Sequence, residues 1–331
     1  MRIAISMGDP AGIGPEVVVK SIAALHASSP DVRWQIHGNR DVFARLAGAS
    51  TIPPTAEWVE IPHPRSAEVR WGAPDAVAGK LQVDSLASAL DTVLEGRADA
   101  LCTAPITKAA ARLAGFPFPG HTEYLADRCG VRRFVMMLAG PRLRVVPLTG
   151  HIALRSVAAS ISTDSVATAL AVTVLGLRDD FGLSRPSVAL AALNPHAGEA
   201  GMMGDEESRI LEPALRRAAD ELAAAGVDAE LRGPLPADGL FAHFAPAAEP
   251  PRLDAVVCCY HDQALIPLKL LHRDEGVNVT LGLPIVRTSP AHGSALDIAG
   301  RGVARPESMI AALRLAIELA LRRRDRRHPR A

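Results

Sequence analysis

Short apolar runs recur along the chain, each ending in a small or polar cluster and each followed by a helical pattern. Residues 3–7 lead into Asp9-Pro10-Ala11-Gly12, 100–103 into Pro105, and 143–148 into Gly150-His151. Residues 188–193 lead in the same way into Asn194-Pro195-His196, and 255–260 into His261. Between them the periodicity predicts helices over 14–25, 85–94, 164–177, 206–225 and 307–324. Strands that are nearly all apolar, alternating with amphipathic helices, read as parallel βαβ units, because a strand covered on both faces has no polar side to show. The expected fold class is α/β. No repeat is evident, and residues 49–57, 62–75 and 241–251 read as connections.

Composition narrows the function classes. The chain has 331 residues, 48% of them apolar, enough for two domains or one large one. Lys+Arg and Asp+Glu are 36 each, which argues against a nucleic-acid or membrane-surface binder working by bulk charge. Cys102, Cys129, Cys258 and Cys259 form no C-x-x-C, so a reducing compartment fits better than a disulfide framework or structural zinc. The first residues are too short and polar for a signal peptide, and no apolar run approaches the ~18 residues of a membrane span, so a soluble cytoplasmic protein is expected. Only Lys20, Lys80, Lys108 and Lys269 are lysines, which marks each as a point-charge or acid/base candidate. Six arginines between 322 and 330 read as a solvated helix C-terminus, with a tail for an anionic partner as the alternative.

Ligands of open α/β sheets bind beyond the carboxyl ends of the strands. His151, His196 and His261 stand just past three such ends. Each alone is an ordinary loop or capping residue. Converging, they would make an open divalent-metal site, most naturally for Zn²⁺ or Co²⁺. Gly120-His121-Thr122-Glu123 follows Phe-Pro-Phe-Pro and offers backbone N–H groups, an imidazole and a hydroxyl to an anion, unless it is a plain helix start. Lys269, Asn278 and Arg287 fall within 19 residues and suit phosphate or carboxylate, although unrelated surface residues give the same pattern. Lys108, beyond another strand end, is a general acid/base, an anion ligand or a solvated lysine. Neither Gly-x-Gly-x-x-Gly nor a P-loop is present, but His292-Gly293-Ser294 opens a glycine-bearing loop late in the chain.

Taken in order, these blocks resemble the 4-hydroxythreonine-4-phosphate dehydrogenase family of pyridoxal-phosphate biosynthesis. The resemblance is carried by Gly8-Asp-Pro-Ala-Gly-Ile-Gly-Pro-Glu16, Thr103-Ala-Pro-Ile-Thr-Lys108, Gly120-His-Thr-Glu123 and Leu193-Asn-Pro-His-Ala-Gly-Glu199. It continues through Gly233-Pro-Leu-Pro-Ala-Asp238, Tyr260-His-Asp-Gln263, Asp274 to Pro284, Arg287-Thr-Ser-Pro and His292-Gly-Ser. Mild departures are Pro119, Ala264 and Ser294.

The resemblance implies two α/β/α domains like those of isocitrate and isopropylmalate dehydrogenases, with a cleft between them. The first domain would span 1–115 plus 290–331. The second would span 116–289 and carry the dimerisation surface and the metal ligands. It implies a homodimer whose metal ligands His151, His196 and His261 are shared across the interface. It implies substrate contacts at His121, Thr122, Lys269, Asn278 and Arg287, and an NAD or NADP loop at His292, Gly293 and Ser294. Lys108 and Asp262 are the candidates for the proton-transfer group. One divalent ion (zinc, cobalt or magnesium) would serve each site. The implied reaction oxidises a small phosphorylated hydroxy amino acid, 4-phosphohydroxy-L-threonine, at C3, and the β-keto acid then decarboxylates. Alternatives are another phosphorylated hydroxy acid such as D-threonate 4-phosphate, a dihydrodiol, a phosphotransacylase of similar architecture, or a non-catalytic binder.

Overall fold

The structure is a computed structural model and describes residues 1–46, 56–245 and 253–327. Its strands are β1 (Arg2–Ser6), β2 (Arg33–Gly38), β3 (Ala56–Glu60), β4 (Ala100–Thr103), β5 (Val135–Ala139), β6 (Arg144–Pro147), β7 (Ser187–Ala191), β8 (Glu230–Leu235), β9 (Ala255–Cys258), β10 (Val277–Leu281) and β11 (Val286–Pro290). They fall in two compact units, 1–130 with 283–331, and 131–282. The expected boundaries stood at 115/116 and 289/290. The observed ones put His121, Thr122 and Arg287 in the first unit.

In the first unit β3, β2, β1, β4 and β11 lie side by side, all parallel. Every residue of β4 and all but the first of β1 are buried, as expected of strands covered on both faces. Helix Ala76–Leu94 begins well before the expected residue 85, because Asp75 accepts from Ala78 N–H and caps it. Gly79 in its first turns lies against the Ala110 carbonyl, where a Cβ would collide. That close approach is what the small residues there permit.

The second unit departs from the parallel expectation. Its order is β10, β5, β6, β9, β7, β8, and β5 runs antiparallel to both neighbours while the other pairs are parallel. The cause is local. Gly140 N–H donates to Leu143 O, so a tight turn joins β5 to β6 where a helical crossover would have been needed for parallel strands. Helix Thr163–Asp179 starts at a reciprocal Ser162/Ser165 capping box. The helix expected over 206–225 is a π-helical turn, Glu207–Leu211, followed by the α-helix Glu212–Ala224.

Of the expected connections, 241–251 begins inside helix Ala237–Ala242, and its residues 246–251 lie outside the described residues, as do 49–55. The arginine tail is helical to Arg327, and residue 330 lies outside the described residues. Residues 62–75 carry a short 3-10 turn, Ser66–Glu68. All four cysteines are free thiols. Among the described residues no single helix is long and apolar enough to cross a membrane.

Candidate functional site

In the second unit, three strand ends are fastened to one another by side chains that sequence reasoning passed over. Thr149 Oγ1, past β6, donates to Cys259 O, past β9, at 2.9 Å. Cys259 N–H donates to Gln263 Oε1 at 2.7 Å, and Gln263 Nε2 donates to Ala192 O, past β7, at 2.7 Å. Gln263 is buried, so its paired amide is worth more there than in water. The ends fixed in this way are those that lead to His151, His261 and His196.

His151 and His261 lie together, ring centroids 5.3 Å apart and tilted by 47°. His261 Nδ1 is 2.7 Å from Asp262 Oδ1. A carboxylate there holds the proton on Nδ1 and leaves the Nε2 lone pair available, the arrangement that orients imidazoles toward metals. This donor chemistry fits a borderline divalent cation.

His196 is presented differently. Residues 196–200 all have positive φ, between 42° and 81°, and four of the five carry a Cβ. Each such residue costs roughly 1–2 kcal/mol relative to the right-handed conformation, so the surroundings must hold the turn. They do so through Asn194, whose backbone N–H donates to Glu207 Oε1 at 2.8 Å, and whose Nδ2 donates to Glu207 Oε2 at 2.9 Å and Glu206 Oε2 at 2.8 Å. No group of three His, Cys, Asp or Glu among the described residues is placed to hold a metal together. The structure thus brings two of the three expected ligands together and not the third.

Lys269 is exposed on the last turn of helix His261–Leu271, eight residues and about 12 Å along the axis from His261. Asn278 is half-buried in β10, and its Oδ1 is sealed from solvent with no hydrogen-bond partner among the described residues.

The first unit holds a buried cationic group. Arg287 on β11 is 2% exposed and donates to Thr103 Oγ1, on neighbouring β4, at 2.8 Å. Burial pushes its pKa down to about 10, partly offset by Cys102 and Glu123, so it stays charged at neutral pH. His121 starts helix His121–Arg128, whose N-cap Gly120 supplies no side-chain cap. Burial, with the charges of Arg287 and Lys108 adding to it, drives its pKa well below the usual imidazole range. The ring as a whole is half-buried, but Nε2 is sealed and accepts or donates no hydrogen bond among the described residues. Lys108 begins the neighbouring helix and approaches Gly120, and Thr122 is half-buried in the first turn after it. A buried guanidinium, a lysine, a neutral imidazole and uncapped helix N–H groups suit an anion.

The helix is steadied behind. Phe116, Phe118 and Tyr124 form a ring cluster, and Arg128 donates to the Tyr124 hydroxyl at 2.7 Å.

In the loop after β11, Ser294 is buried, its hydroxyl accepting from Thr107 Oγ1 at 3.0 Å and its carbonyl from Ile13 N–H at 2.9 Å. Gly12 lies so close to it that a Cβ would collide. Gly293 is exposed, and His292 Nδ1 sits 3.0 Å from Gly293 O. Ser294 therefore anchors the loop against the N-terminal glycine segment and leaves Gly293 at the surface.

Thr149 and Glu207 lie outside the blocks singled out in the sequence, and the partners that give Thr103, Thr149, Asn194, Glu207 and Gln263 their roles stand 12 to 184 residues away for all but the Gln263–Cys259 bond.

These features define a two-unit α/β protein of the enzyme class, with histidines past the strand ends of one unit and a buried cationic group in the other. A family model described as "Pyridoxal phosphate biosynthetic protein PdxA" matches residues 13–316, and the chain belongs to that family. It is 45% identical over 341 residues to the 4-hydroxythreonine-4-phosphate dehydrogenase of Paracoccus denitrificans, covering 97% of this chain and 98% of that one. The crystal structure of the 4-hydroxythreonine-4-phosphate dehydrogenase of Klebsiella pneumoniae superposes with a TM-score of 0.82 at 37% identity, over 96% of this chain and 99% of that one. A terephthalate 1,2-cis-dihydrodiol dehydrogenase from Burkholderia xenovorans matches at 30% identity and TM-score 0.65, over 96% and 97% of the two chains.

Proposed function

We propose that the chain oxidises 4-phosphohydroxy-L-threonine at C3, with NAD or NADP, to 2-amino-3-oxo-4-phosphobutanoate, which loses CO₂ to give 3-amino-2-oxopropyl phosphate. The observation that carries this reading is the family match over 13–316, which spans every residue expected to bind anion and metal. A phosphotransacylase would have no use for the histidine edge.

In this reading Arg287, His121, Thr122, Lys269 and Asn278 are the residues put forward to bind the phosphate and carboxylate ends and fix the C3–H. His151, His196 and His261 hold the divalent ion (zinc, cobalt or magnesium), and Asp262 orients the His261 ring. When bound, the ion would supply the charge that lowers the pKa of the C3 hydroxyl, and the dinucleotide would supply the hydride acceptor. Lys108 and Asp262 are the two residues put forward for the proton transfer, Asp262 engaged at His261 Nδ1 and Lys108 having to give up its own proton first. His292, Gly293 and Ser294 form the dinucleotide loop, with Gly293 available to the ligand and Ser294 as its anchor.

Exposed apolar side chains adjoin the metal-binding histidines in the chain: Ile152 and Leu154 by His151, Met202 and Met203 by His196, Ile266 and Leu270 on the His261 helix. Leu270 is 84% and Met202 82% exposed, which favours a homodimer that covers this face and shares the metal ligands between copies. The enzyme is read as cytoplasmic, in keeping with its four free thiols.

The test is NADH and NADPH formation by metal-supplemented protein with 4-phosphohydroxy-L-threonine, with D-threonate 4-phosphate run in parallel. Turnover of the first substrate supports the reading. Turnover of the second alone replaces the substrate while keeping the reaction type. No turnover of either, with stabilisation by acyl-CoA in a thermal shift, overturns it.

A further inference from the structure

We infer that Glu207 is a positioning residue for His196, holding the left-handed turn 196–200 in the one conformation that presents the imidazole to a divalent cation. The inference rests on the metal reading above and extends it to a residue that touches neither metal nor substrate.

Three observations meet at this carboxylate. First, it is buried, 4% exposed, and both oxygens are used: Oε1 accepts from Asn194 N–H and Oε2 from Asn194 Nδ2. Asn194 stands immediately before Pro195-His196, so the point where β7's chain enters the turn is clamped from the backbone and the side chain at once. Second, the far side of the turn is seated on the same group. Gly198 has φ +81°, and a Cβ there would stand 2.9 Å from Glu207 Oε2 and 2.8 Å from Gly204 O. Third, the turn has little else to hold it. Its remaining backbone bonds are short-range, Met202 N–H to Glu199 O and Met203 N–H to Gly198 O, while His196, Glu199 and Ala200 are exposed. Five consecutive left-handed residues, four of them bearing a Cβ, do not persist in solvent unaided.

Glu207 opens the π-helical turn Glu207–Leu211 at the head of the long surface helix. The wider turn is an irregularity frequent at functional sites. Here its first residue, Glu207, is the one that reaches the histidine turn. Glu206 shares only Nδ2 of Asn194 and is half-exposed, so it backs the clamp without closing it.

The experiment is Co²⁺ titration of the chelator-treated full chain, read by calorimetry and by the visible absorption of the bound ion. Glu207→Ala should weaken Co²⁺ binding by about 10–100-fold and change the absorption toward that of a site with one nitrogen ligand fewer. Glu207→Gln, which keeps the volume and one acceptor, should show the same change at smaller size, and it decides the matter where Glu207→Ala does not fold. Because Glu207 acts through His196, the double variant Glu207→Ala/His196→Ala should bind no more weakly than His196→Ala alone. Multiplying losses in the double variant would overturn the inference. So would wild-type affinity and spectrum in both Glu207 variants while His196→Ala binds weakly, an outcome that leaves the metal reading standing. Wild-type binding by His196→Ala would instead remove the metal reading and this inference with it.

Discussion

The two units carry their functional groups in opposite ways. The first buries them: Arg287 is 2% exposed, His121 Nε2 is sealed, and the helix that bears His121 is braced by an aromatic cluster. The second exposes them, with His151 and His196 in contact with solvent and apolar side chains uncovered nearby. The contrast fits the roles proposed for the two groups. An anion is held against water only where the dielectric is low and donors are fixed beforehand. Imidazoles bind a cation through lone pairs that need an open approach, so their precision comes from second-layer fastening (Thr149, Gln263 and Glu207) instead of burial.

The sharpest way to break this comparison is at the exposed side. His261→Ala should remove metal-dependent turnover by 10³-fold or more, equivalent to about 4 kcal/mol of barrier, while leaving the circular-dichroism spectrum unchanged. Full activity in that variant would mean that the exposed histidines are not the metal site.

Next in size is the effect of pH on the buried side. Burial pushes His37, packed against Ser88 in the first unit, down to about 4, with Arg97 repelling further. A folded-state pKa below the unfolded value of about 6.5 means that the unfolded chain binds the extra proton, so stability is present above pH 6.5 and is lost as the pH falls toward 4. The full loss is about 3 kcal/mol, and His37→Gln should flatten the denaturant-midpoint profile over that range by a comparable amount. Superimposable profiles would show that His37 is not held neutral.

The smallest effect expected is that of Arg287→Lys. A point charge cannot reproduce the fork that reaches both Thr103 and an anion, so KM for the phosphorylated substrate should rise about 10–100-fold with kcat less affected. An unchanged KM would remove Arg287 from substrate binding.

The same contrast explains what could be read from the sequence. Apolar runs closed by polar clusters located β1, β4, β6, β7 and β9 to within a residue or two, since burial on both faces writes itself as an unbroken apolar stretch. The edge strand β3 and strand β8, with few or no fully buried residues, left no such record. The turn between β5 and β6 was not read, and with it went the antiparallel pairing. Histidines beyond strand ends were legible because position along a strand fixes which edge a residue reaches. That His151 and His261 meet while His196 stands on a left-handed turn was not, since four of the five residues of that turn are types that do not favour it. The long-range fasteners were invisible for the same reason: a glutamate reads as a glutamate whether it faces water or clamps an asparagine 13 residues away.

The pairing of β11 with β4 has a consequence for how the protein is made. Between Thr103 and Val286, the partners' nearest residues along the chain, lies the whole of the second unit. A ribosome extending the chain at about 5–20 residues per second leaves one edge of β4 without its neighbour while those residues emerge. The second unit can finish folding during that interval. The first cannot, and Arg287 meets Thr103 only once β11 is delivered. The pairing of Arg287 with Thr103 therefore waits on the whole of the second unit, and a nascent chain released before β11 would carry the histidine edge with β4 still open on one side.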